Sequence, residues 1–334
     1  MLILGIESTC DETGASIVKN GNSIISNIIS SSVNKHKKFG GIVPEVAARE
    51  QLKIIIPVIS EAIAHIPHAK IDAIAVSFGP GLQGSLLIGV ETSKILSLVW
   101  NKPLIGVNHL IGHIYANWLT NKSRNKKISI NFPLIALIVS GGHTDLVLMQ
   151  DHGKYKWLGG TLDDAAGEAF DKAGRVLDLG YPGGPQIDKL ASTSTINNDK
   201  FILPRPMIKS NNYNFSFSGI KTSVINQTNN IKNNQDKIKM AIEFQQAVTE
   251  VLIIKTLKAA KKYQVKSILV GGGVAANSYL RSEMKKESYK NSYKIFFPEK
   301  NLAVDNGAMI AAAAYYNFKP IKIINLQTFP GLAF

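Results

Sequence analysis

Residues 134–149, LIALIVSGGHTDLVLM, and residues 2–18, LILGIESTCDETGASIV, follow the same plan. In each stretch an apolar run leads into a polar turn and then into a second, shorter apolar run, which is typical of a β-hairpin. Ser140 occupies the place in the later stretch that Ser8 occupies in the earlier one. The sequence therefore predicts the same hairpin twice, which is the pattern of a duplicated domain.

A second pair of similar stretches follows the hairpins. The apolar run 71–77 (IDAIAVS) leads into the glycine turn FGPG and a helical stretch, and the run 265–270 (VKSILV) leads into GGGVAANSYLR. A helical pattern precedes each run, at residues 45–65 and 238–263. A helix between two strands returns the chain for parallel pairing. The same order of elements thus occurs twice and predicts two α/β lobes.

The boundary between the predicted lobes lies near residue 128. The first lobe covers residues 1–128 and the second covers residues 129–334, with a C-terminal helix that could pack back on the first lobe. The second lobe is longer because it carries an insertion at about 155–235, with a helical signal at 163–178. Ligands of open α/β sheets bind beyond the carboxyl ends of the strands, where glycine turns offer N–H groups to phosphate. This arrangement predicts a nucleotide between the lobes.

The composition fits a folded protein without disulfides. Of the 334 residues, 45% are hydrophobic and 19% are charged, which excludes a disordered or fibrous protein. Cys10 is the one cysteine, so no disulfide can form within the chain. The opening MLILGI has no basic leader, and no apolar run reaches the roughly 18 residues of a membrane-spanning helix. We therefore expect a cytoplasmic protein.

The net charge favours a polyanionic partner but does not identify one. Lys and Arg number 38 and Asp and Glu number 24, which gives a net charge of +14. Such an excess suits nucleic acid, because lysine and arginine displace counterions from phosphates. A solvated surface in a chain rich in lysine and asparagine explains the charge equally well. Composition leaves both alternatives open.

Two histidines four residues apart indicate a metal site. On a helix, His109 and His113 would share one face about 6 Å apart along the axis, close enough to bind one ion. Asp305, at the start of the alanine-rich stretch 304–314, offers the carboxylate that such a site uses. The alternatives are two structural histidines and an aspartate that caps the helix. A zinc-protease site is disfavoured, because Leu110 stands where that motif needs its glutamate base.

Three further motifs have both a structural and a ligand-binding interpretation. The glycines of GGGVAAN (271–277) are common in turns, but they follow a repeated strand, and Asn277 could hydrogen-bond a base or a ribose. DDAAGEAFDK (163–172) suits helix capping and packing, while Asp171 within it could equally contact a ligand. GYPGGP (180–185) would let a ligand or another chain segment approach the backbone closely.

Ten motifs together resemble one family, and they occur in its order along nearly the whole chain. The family is the universal tRNA threonylcarbamoyladenosine biosynthesis transferases, once described as glycoprotein endopeptidases. Ten ordered motifs are more specific than a shared fold would require. They are ESTCDETG (7–14), GGIVPEVAARE (40–50), GPGLQGSL (79–86), NHLIGH (108–113), VSGGHT (139–144), DDAAGEAFDK (163–172), GYPGGP (180–185), FSFSGIKT (215–222), GGGVAAN (271–277) and DNGAM (305–309).

This resemblance implies a fold and a reaction. The fold would be α/β, with duplicated actin/Hsp70/sugar-kinase-like (RNase H-like) lobes around a central nucleotide and metal cleft. The reaction would transfer an L-threonylcarbamoyl group from threonylcarbamoyl-AMP to N6 of adenosine 37, in tRNAs that read codons starting with A, with release of AMP. The implied partners are tRNA, an inactive paralogue of the same fold and a P-loop ATPase.

The resemblance also implies the site residues. One divalent transition metal per chain, iron in preference to zinc, would be held by His109, His113 and Asp305. The residues implied for binding the adenylate are Ile138, Val139, Ser140, Gly141, Gly142, Asp171, Gly184, Asp188 and Asn277.

The acceptor amine needs help from a base. Its lone pair is delocalised into adenine, so a carboxylate that removes its proton would speed attack. We expect Asp11 to be that base, with Glu12 as the second choice, against the alternative that Asp11 only caps its turn. The basic stretches 34–38 and 121–127 are expected to contact tRNA phosphates without base specificity.

The chain departs from the family pattern at four positions. Ile111 stands where glutamate is frequent, Gln51 where histidine is frequent, and Ala303 and Val304 where a polar pair is usual. None of these is an expected ligand. Two alternatives within the same fold are a non-catalytic paralogue and a small-molecule kinase. The histidine pair disfavours both, because a scaffold needs no metal ligands and a kinase binds magnesium through carboxylates and water.

Overall fold

The computed structural model describes residues 1–121, 129–194 and 199–334, and these divide into two units. Unit 1 comprises Met1–Ser129 together with Pro298–Phe334, and unit 2 comprises Ile130–Phe297. Of the basic stretch expected at 121–127, residues 122–127 lie outside the described residues. In the described part of the chain, none of the helices is both long and apolar enough to span a membrane.

Unit 1 is built on a mixed six-stranded sheet with the strand order β5-β4-β1-β2-β3-β6. Its elements are β1 (Leu2–Glu7), β2 (Glu12–Lys19), β3 (Ser23–Ser31), α1 (Val33–His36), α2 (Pro44–Ile63), β4 (Ala73–Gly79), α3 (Gln83–Trp100), β5 (Leu104–Asn108), α4 (His109–Tyr115), β6 (Thr120–Asn121) and, after unit 2 in the chain, α10 (Gly307–Tyr316). β1 pairs antiparallel with β2, from Leu2 opposite Lys19 to Glu7 opposite Gly14, and parallel with β4.

Unit 2 is built on a five-stranded sheet with the strand order β11-β10-β7-β8-β9. Its elements are β7 (Leu134–Val139), β8 (Thr144–Asp151), β9 (Lys154–Gly160), α5 (Ala166–Val176), α6 (Gly183–Ser192), α7 (Ser218–Asn226), α8 (Asn234–Lys262), β10 (Ser267–Gly271), α9 (Ser278–Lys290) and β11 (Lys294–Phe296). β7 pairs antiparallel with β8 and parallel with β10.

The two sheets have the same topology, as the repeated sequence predicts. Unit 1 contains the order β3-β2-β1-β4-β5 and unit 2 the order β9-β8-β7-β10-β11, with matching parallel and antiparallel pairs. The long helices α2 and α8 precede the equivalent strands β4 and β10, and α3 and α9 follow them. A helix between parallel strands is what the crossover requires. The predicted duplication of hairpin, helix, strand and helix is therefore confirmed.

The helix α10 belongs to unit 1, although it follows unit 2 in the chain. Its residues from Ala308 to Ala314 are all buried, and its first turn touches β1 backbone to backbone. A Cβ on Gly5 would lie 2.1 Å from the carbonyl oxygen of Gly307, so only glycine allows this approach. The sequence boundary put 129–334 in the second lobe, with a C-terminal helix that could pack back on the first lobe; in the structure, the whole segment 298–334, including that helix, lies with unit 1.

Candidate functional site

The short helix α4 places two histidines in the core of unit 1. Asn108 ends β5, and its side chain accepts a hydrogen bond from the Leu110 N–H at 2.8 Å, which caps the helix. The helix begins at His109, so His113 follows one turn later on the same face. Both side chains are buried, and their ring centroids are 4.6 Å apart at an interplanar angle of 76°.

Asp305 reaches the same point from the segment before α10. Its Oδ1 atom lies 3.6 Å from His109 Nε2 and 3.2 Å from His113 Nε2. The capping residue of α10 is Asn306, whose side chain accepts from the Met309 N–H at 3.0 Å. The alternative that Asp305 only caps the alanine-rich helix is therefore wrong, because the next residue performs that role.

The three side chains fit a transition-metal ion. Each offers one ligand atom, and these atoms all lie within 4.8 Å of one another, as the ligands of a single ion must. Among the described residues, His113 Nδ1 has no hydrogen-bond partner and Nε2 faces only the Asp305 carboxylate, 3.2 Å away, although the side chain is 0% exposed. A buried imidazole with so few polar partners is costly, and coordination of Nε2 would reduce that cost.

Glu7 supports this arrangement, although none of the sequence patterns singles it out as a site residue. The side chain is fully buried at the end of β1, and its Oε2 atom lies 2.9 Å from His109 Nδ1. Its Oε1 atom accepts the Thr9 N–H at 2.6 Å, which fixes the carboxylate. A carboxylate on the second nitrogen of a histidine orients the ring and leaves Nε2 for a metal. The signal in the sequence that could have indicated this residue is a charged side chain at the end of an apolar strand.

The surrounding carboxylates make this location favourable for positive charge. Burial by itself lowers the pKa of His109, but the carboxylates of Glu7 and Asp305 and the hydrogen bond to Glu7 outweigh burial and raise that pKa to about 9. A metal cation at the same point would experience the same attraction. The electrostatics and the geometry of the cluster therefore both favour a bound metal cation.

The turn between β1 and β2 carries Asp11 and Glu12 next to this cluster. Asp11 is buried, and its carboxyl group lies next to that of Glu12. Burial, then the negative charges of Asp305 and Asp11, raise the pKa of Glu12 well above its usual range. Glu12 therefore keeps its proton to higher pH than an exposed glutamate does.

A single buried glutamine holds the backbone of this turn. Gln51 on α2 points its Nε2 atom at three carbonyl oxygens, those of Ser8 (3.4 Å), Cys10 (2.8 Å) and Glu12 (3.0 Å). Its Oε1 atom is buried and has no partner among the described residues. Gln51 therefore supplies the buried N–H donor that this turn uses.

Gln51→Leu is expected to lower the free energy of unfolding by about 1–3 kcal/mol, because carbonyl groups of the turn would no longer have their buried donor. Urea denaturation of the full chain, followed by tryptophan fluorescence, measures the change. Leu52→Ala is the matched control, since Leu52 is the next residue on α2 and is 69% exposed. Equal destabilisation of both variants would contradict the role assigned to Gln51.

In unit 2 the glycine turn that follows β7 is open to a ligand. Ser140 N–H donates to the His143 carbonyl at 2.9 Å, and the His143 N–H donates to Ser140 Oγ at 3.2 Å, which closes the turn. Gly141 and Gly142 are exposed, with nothing within 4 Å of where a Cβ would stand. The turn therefore offers backbone groups in free space at the carboxyl end of a central strand.

Not every residue expected at the adenylate reaches open space. The side chains of Ile138 and Val139 are completely buried in the sheet core, so these two residues offer only backbone groups. Asp171 Oδ1 accepts the Gly183 N–H at 2.7 Å, beside Gly184 at the start of α6.

Asp188 and Asn277 are also engaged within unit 2. Asp188 accepts both the N–H (3.0 Å) and the hydroxyl (2.6 Å) of Ser278. Asn277 caps α9 by accepting the Leu280 N–H at 2.8 Å and donates to Gln245 at 2.8 Å. These bonds hold α6 and the start of α9 together, so a ligand there would meet a preorganised polar surface.

The sequence of the chain is similar to one family along most of its length. The sequence model of the family described as tRNA N6-adenosine threonylcarbamoyltransferase matches residues 23–312. A protein of that name from Bacillus subtilis (strain 168) is 50% identical over 325 residues, covering 96% of this chain and 91% of the relative. One from Syntrophomonas wolfei is 48% identical over 337 residues, covering 99% and 97%.

Solved structures with a similar fold have much lower sequence identity. Component A of (R)-2-hydroxyglutaryl-CoA dehydratase from Acidaminococcus fermentans has a TM-score of 0.55 at 16% identity, covering 95% of this chain and 98% of that chain. HypF from T. kodakarensis has a TM-score of 0.61 at 13% identity, covering 95% and 47%. Together with the duplicated sheets, these likenesses confirm the expected actin/sugar-kinase-like fold class.

Proposed function

The chain belongs to the tRNA N6-adenosine threonylcarbamoyltransferase family, and from this premise we propose its reaction in detail. It transfers an L-threonylcarbamoyl group from threonylcarbamoyl-AMP to N6 of adenosine 37, in tRNAs that read codons starting with A, and releases AMP. The observation that carries the proposal is the convergence of His109, His113 and Asp305 in unit 1 of a family member. A scaffold paralogue would have no use for this buried cluster.

The donor sets the chemical task. Threonylcarbamoyl-AMP is a mixed carbamoyl-phosphate anhydride, so AMP is already a good leaving group. The protein therefore has to position donor and acceptor and stabilise the charge that develops, which are the usual large contributions to catalysis.

His109, His113 and Asp305 would hold one divalent transition metal. Two histidines and one carboxylate with open positions are typical of iron(II), so we propose iron in preference to zinc. When bound, such an ion acts as a Lewis acid toward oxygen atoms of the donor. Glu7 keeps the His109 ring oriented through its 2.9 Å contact with Nδ1.

The turn Ser140–Gly141–Gly142 would bind the adenylate through the backbone N–H groups of its two glycines, since the Ser140 N–H already donates to His143. Exposed glycines let a phosphate approach the chain closely, which a side chain would prevent. Asp171, Gly184, Asp188 and Asn277 complete the proposed donor site, with Ile138 and Val139 contributing backbone only.

Asp11 would remove the proton of the acceptor amine as it attacks the carbamoyl carbon. Its carboxyl group is buried next to that of Glu12, whose pKa is raised by burial and then by the negative charges of Asp305 and Asp11. A base in the turn that Gln51 fixes is already held in place, so little side-chain entropy has to be given up at each turnover. Glu12 is the second choice for the same role.

Partners and compartment follow from the same family. We propose that the chain works in the cytoplasm, where its tRNA substrate is, in a complex with an inactive paralogue of its own fold and a P-loop ATPase. Exposed apolar side chains on α2 and α3 support a protein partner: Ile56 is 55% exposed, Leu98 68% and Val99 70%. Such apolar exposure on neighbouring helices often marks an interface.

The test is transfer by purified protein. The full chain, with and without its partners, is mixed with preformed threonylcarbamoyl-AMP and an unmodified tRNA transcript, and the nucleosides are analysed by mass spectrometry. Threonylcarbamoyladenosine is expected, and a transcript with guanosine at position 37 should give none. Absence of the modified nucleoside in every combination of partners would refute the proposal.

A further inference from the structure

Six lysines lie together at one end of unit 2, at the end where β7 and β10 begin. The Lys266 N–H donates to the Pro133 carbonyl at 2.9 Å, just before these two strands. Lys294 starts β11 opposite Ser267, the first residue of β10. On the other side of the sheet, Lys154 starts β9, and its neighbour Tyr155 pairs with the β8 residue that faces Leu134.

The end of the long helix α8 adds to the same surface. This helix ends at Lys262, and the chain then enters β10 within five residues. Lys156 on β9 places its Nζ 5.9 Å from the ring centroid of Tyr263, so β9 and the end of α8 are adjacent. We name this surface the basic end and define it by Lys154, Lys156, Lys261, Lys262, Lys266 and Lys294, all of which are exposed.

The positive charges of the basic end are balanced only in part, since one exposed acid, Asp151, lies opposite Lys154 in the β8–β9 pair. In the part of the chain that the structure describes, no carboxylate forms an ion pair with any of the six lysines. Lysines elsewhere in unit 2 do have such partners: Lys172 pairs with Asp164 at 2.6 Å and Lys239 with Asp199 at 2.6 Å. Asp151 is an exposed acid at the end of β8, next to the turn into β9. The basic end therefore brings together several exposed lysines that, among the described residues, are in no ion pair.

The basic end lies away from the proposed donor site. The turn Ser140–Gly142 follows the last residue of β7, whereas the basic end precedes its first residue. Six residues of extended chain separate the two by about 20 Å. A ligand that used both would have to be long and polyanionic, as a nucleic acid stem is and a nucleotide is not.

We propose that the basic end contacts the phosphate backbone of tRNA remote from the modified nucleotide. This proposal rests on the proposed function, since that function supplies the substrate. Lysine side chains match phosphate by charge. The contacts would raise affinity without reading sequence, because phosphates carry no base information.

The test compares two variants with the same net charge. The first carries Lys154→Gln, Lys156→Gln, Lys262→Gln and Lys266→Gln. The matched control carries Lys19→Gln, Lys70→Gln, Lys319→Gln and Lys322→Gln, four exposed lysines of unit 1. Binding of the full chain to an unmodified tRNA transcript is measured by filter retention over a series of salt concentrations from low to above physiological.

Weaker binding is expected for the basic-end variant alone. Its dissociation constant should rise by a factor of about ten or more near physiological salt, and the slope of log K against log salt should fall in magnitude by roughly 0.7–0.9 for each phosphate that is no longer neutralised. Its single-turnover rate at saturating tRNA should equal that of the unchanged protein. Unchanged affinity and slope, or equal weakening in both variants, would overturn the proposal.

Failure of the proposed function would look different. If that function were wrong, the unchanged protein would form no threonylcarbamoyladenosine, whatever its affinity for tRNA. If only the basic end were misassigned, the unchanged protein would modify tRNA and the basic-end variant would bind it equally well. A larger decrease in binding to vesicles containing phosphatidylserine than to tRNA would assign the surface to a membrane and also overturn the proposal.

Discussion

His113→Ala is expected to remove bound transition metal and to abolish transfer while leaving the fold nearly intact, and His109→Ala is expected to do the same. Each substitution deletes one of three ligands, and two side chains rarely retain a transition metal through dialysis. His113 is buried, its Nδ1 has no hydrogen-bond partner among the described residues, and its Nε2 faces only Asp305, so its removal affects no other polar contact. Metal content per chain after dialysis is the primary measurement.

The control for this prediction is His65→Ala. His65 is exposed on the surface of unit 1, outside the cluster, so metal content and transfer should remain at the level of the unchanged protein. Thermal unfolding of each variant, measured after chelation, should show that the unloaded proteins are similarly stable. Stoichiometric iron or zinc retained by either His109→Ala or His113→Ala would show that the metal site is elsewhere.

Asp11→Asn is expected to slow the transfer step by about 10²–10⁴-fold while donor and metal binding survive. Asparagine keeps the size of the side chain but cannot accept the amine proton. The backbone contacts of the turn do not depend on this carboxyl: the Asp11 carbonyl accepts from Ser32, and Gln51 holds the carbonyls of Cys10 and Glu12. The turn should therefore keep its conformation.

Single-turnover transfer from preformed threonylcarbamoyl-AMP, at saturating donor and tRNA, isolates this step because binding defects are then masked. A structural aspartate would instead lower thermal stability and donor affinity together, with a nearly normal single-turnover rate. That result would rule out Asp11 as the base. Glu12→Gln in the same assay is the comparison: a larger decrease there than in Asp11→Asn would transfer the role to Glu12.

The fold was largely predictable because its main signal is local. Apolar runs of strand length and long helical patterns are visible without any tertiary contact. The pattern at 45–65 corresponds to the helix Pro44–Ile63, and that at 238–263 corresponds to Asn234–Lys262. The repetition then indicated that the two halves pair their strands in the same way, since two similar stretches of sequence form similar sheets.

The candidate site was only partly predictable, because its support comes from distant residues. The spacing of His109 and His113 on one helix face is a local property. Glu7 meets His109 from a strand 102 positions earlier, and Gln51 reaches the turn from a helix 41 positions after Cys10. Hydrophobic periodicity does not reveal such contacts, because each residue is a single polar side chain within an otherwise regular strand or helix.

The sequence by itself determined the duplicated α/β topology and the histidine pair, because hydrophobic periodicity and helix geometry act within a few residues. Only the tertiary structure decided that the segment 298–334 returns to unit 1, which brings Asp305 to the histidines. It also decided that Asn306, and not Asp305, caps α10. Backbone contact between Gly5 and Gly307 permits that return, and close packing between distant segments depends on shapes that neither segment shows alone.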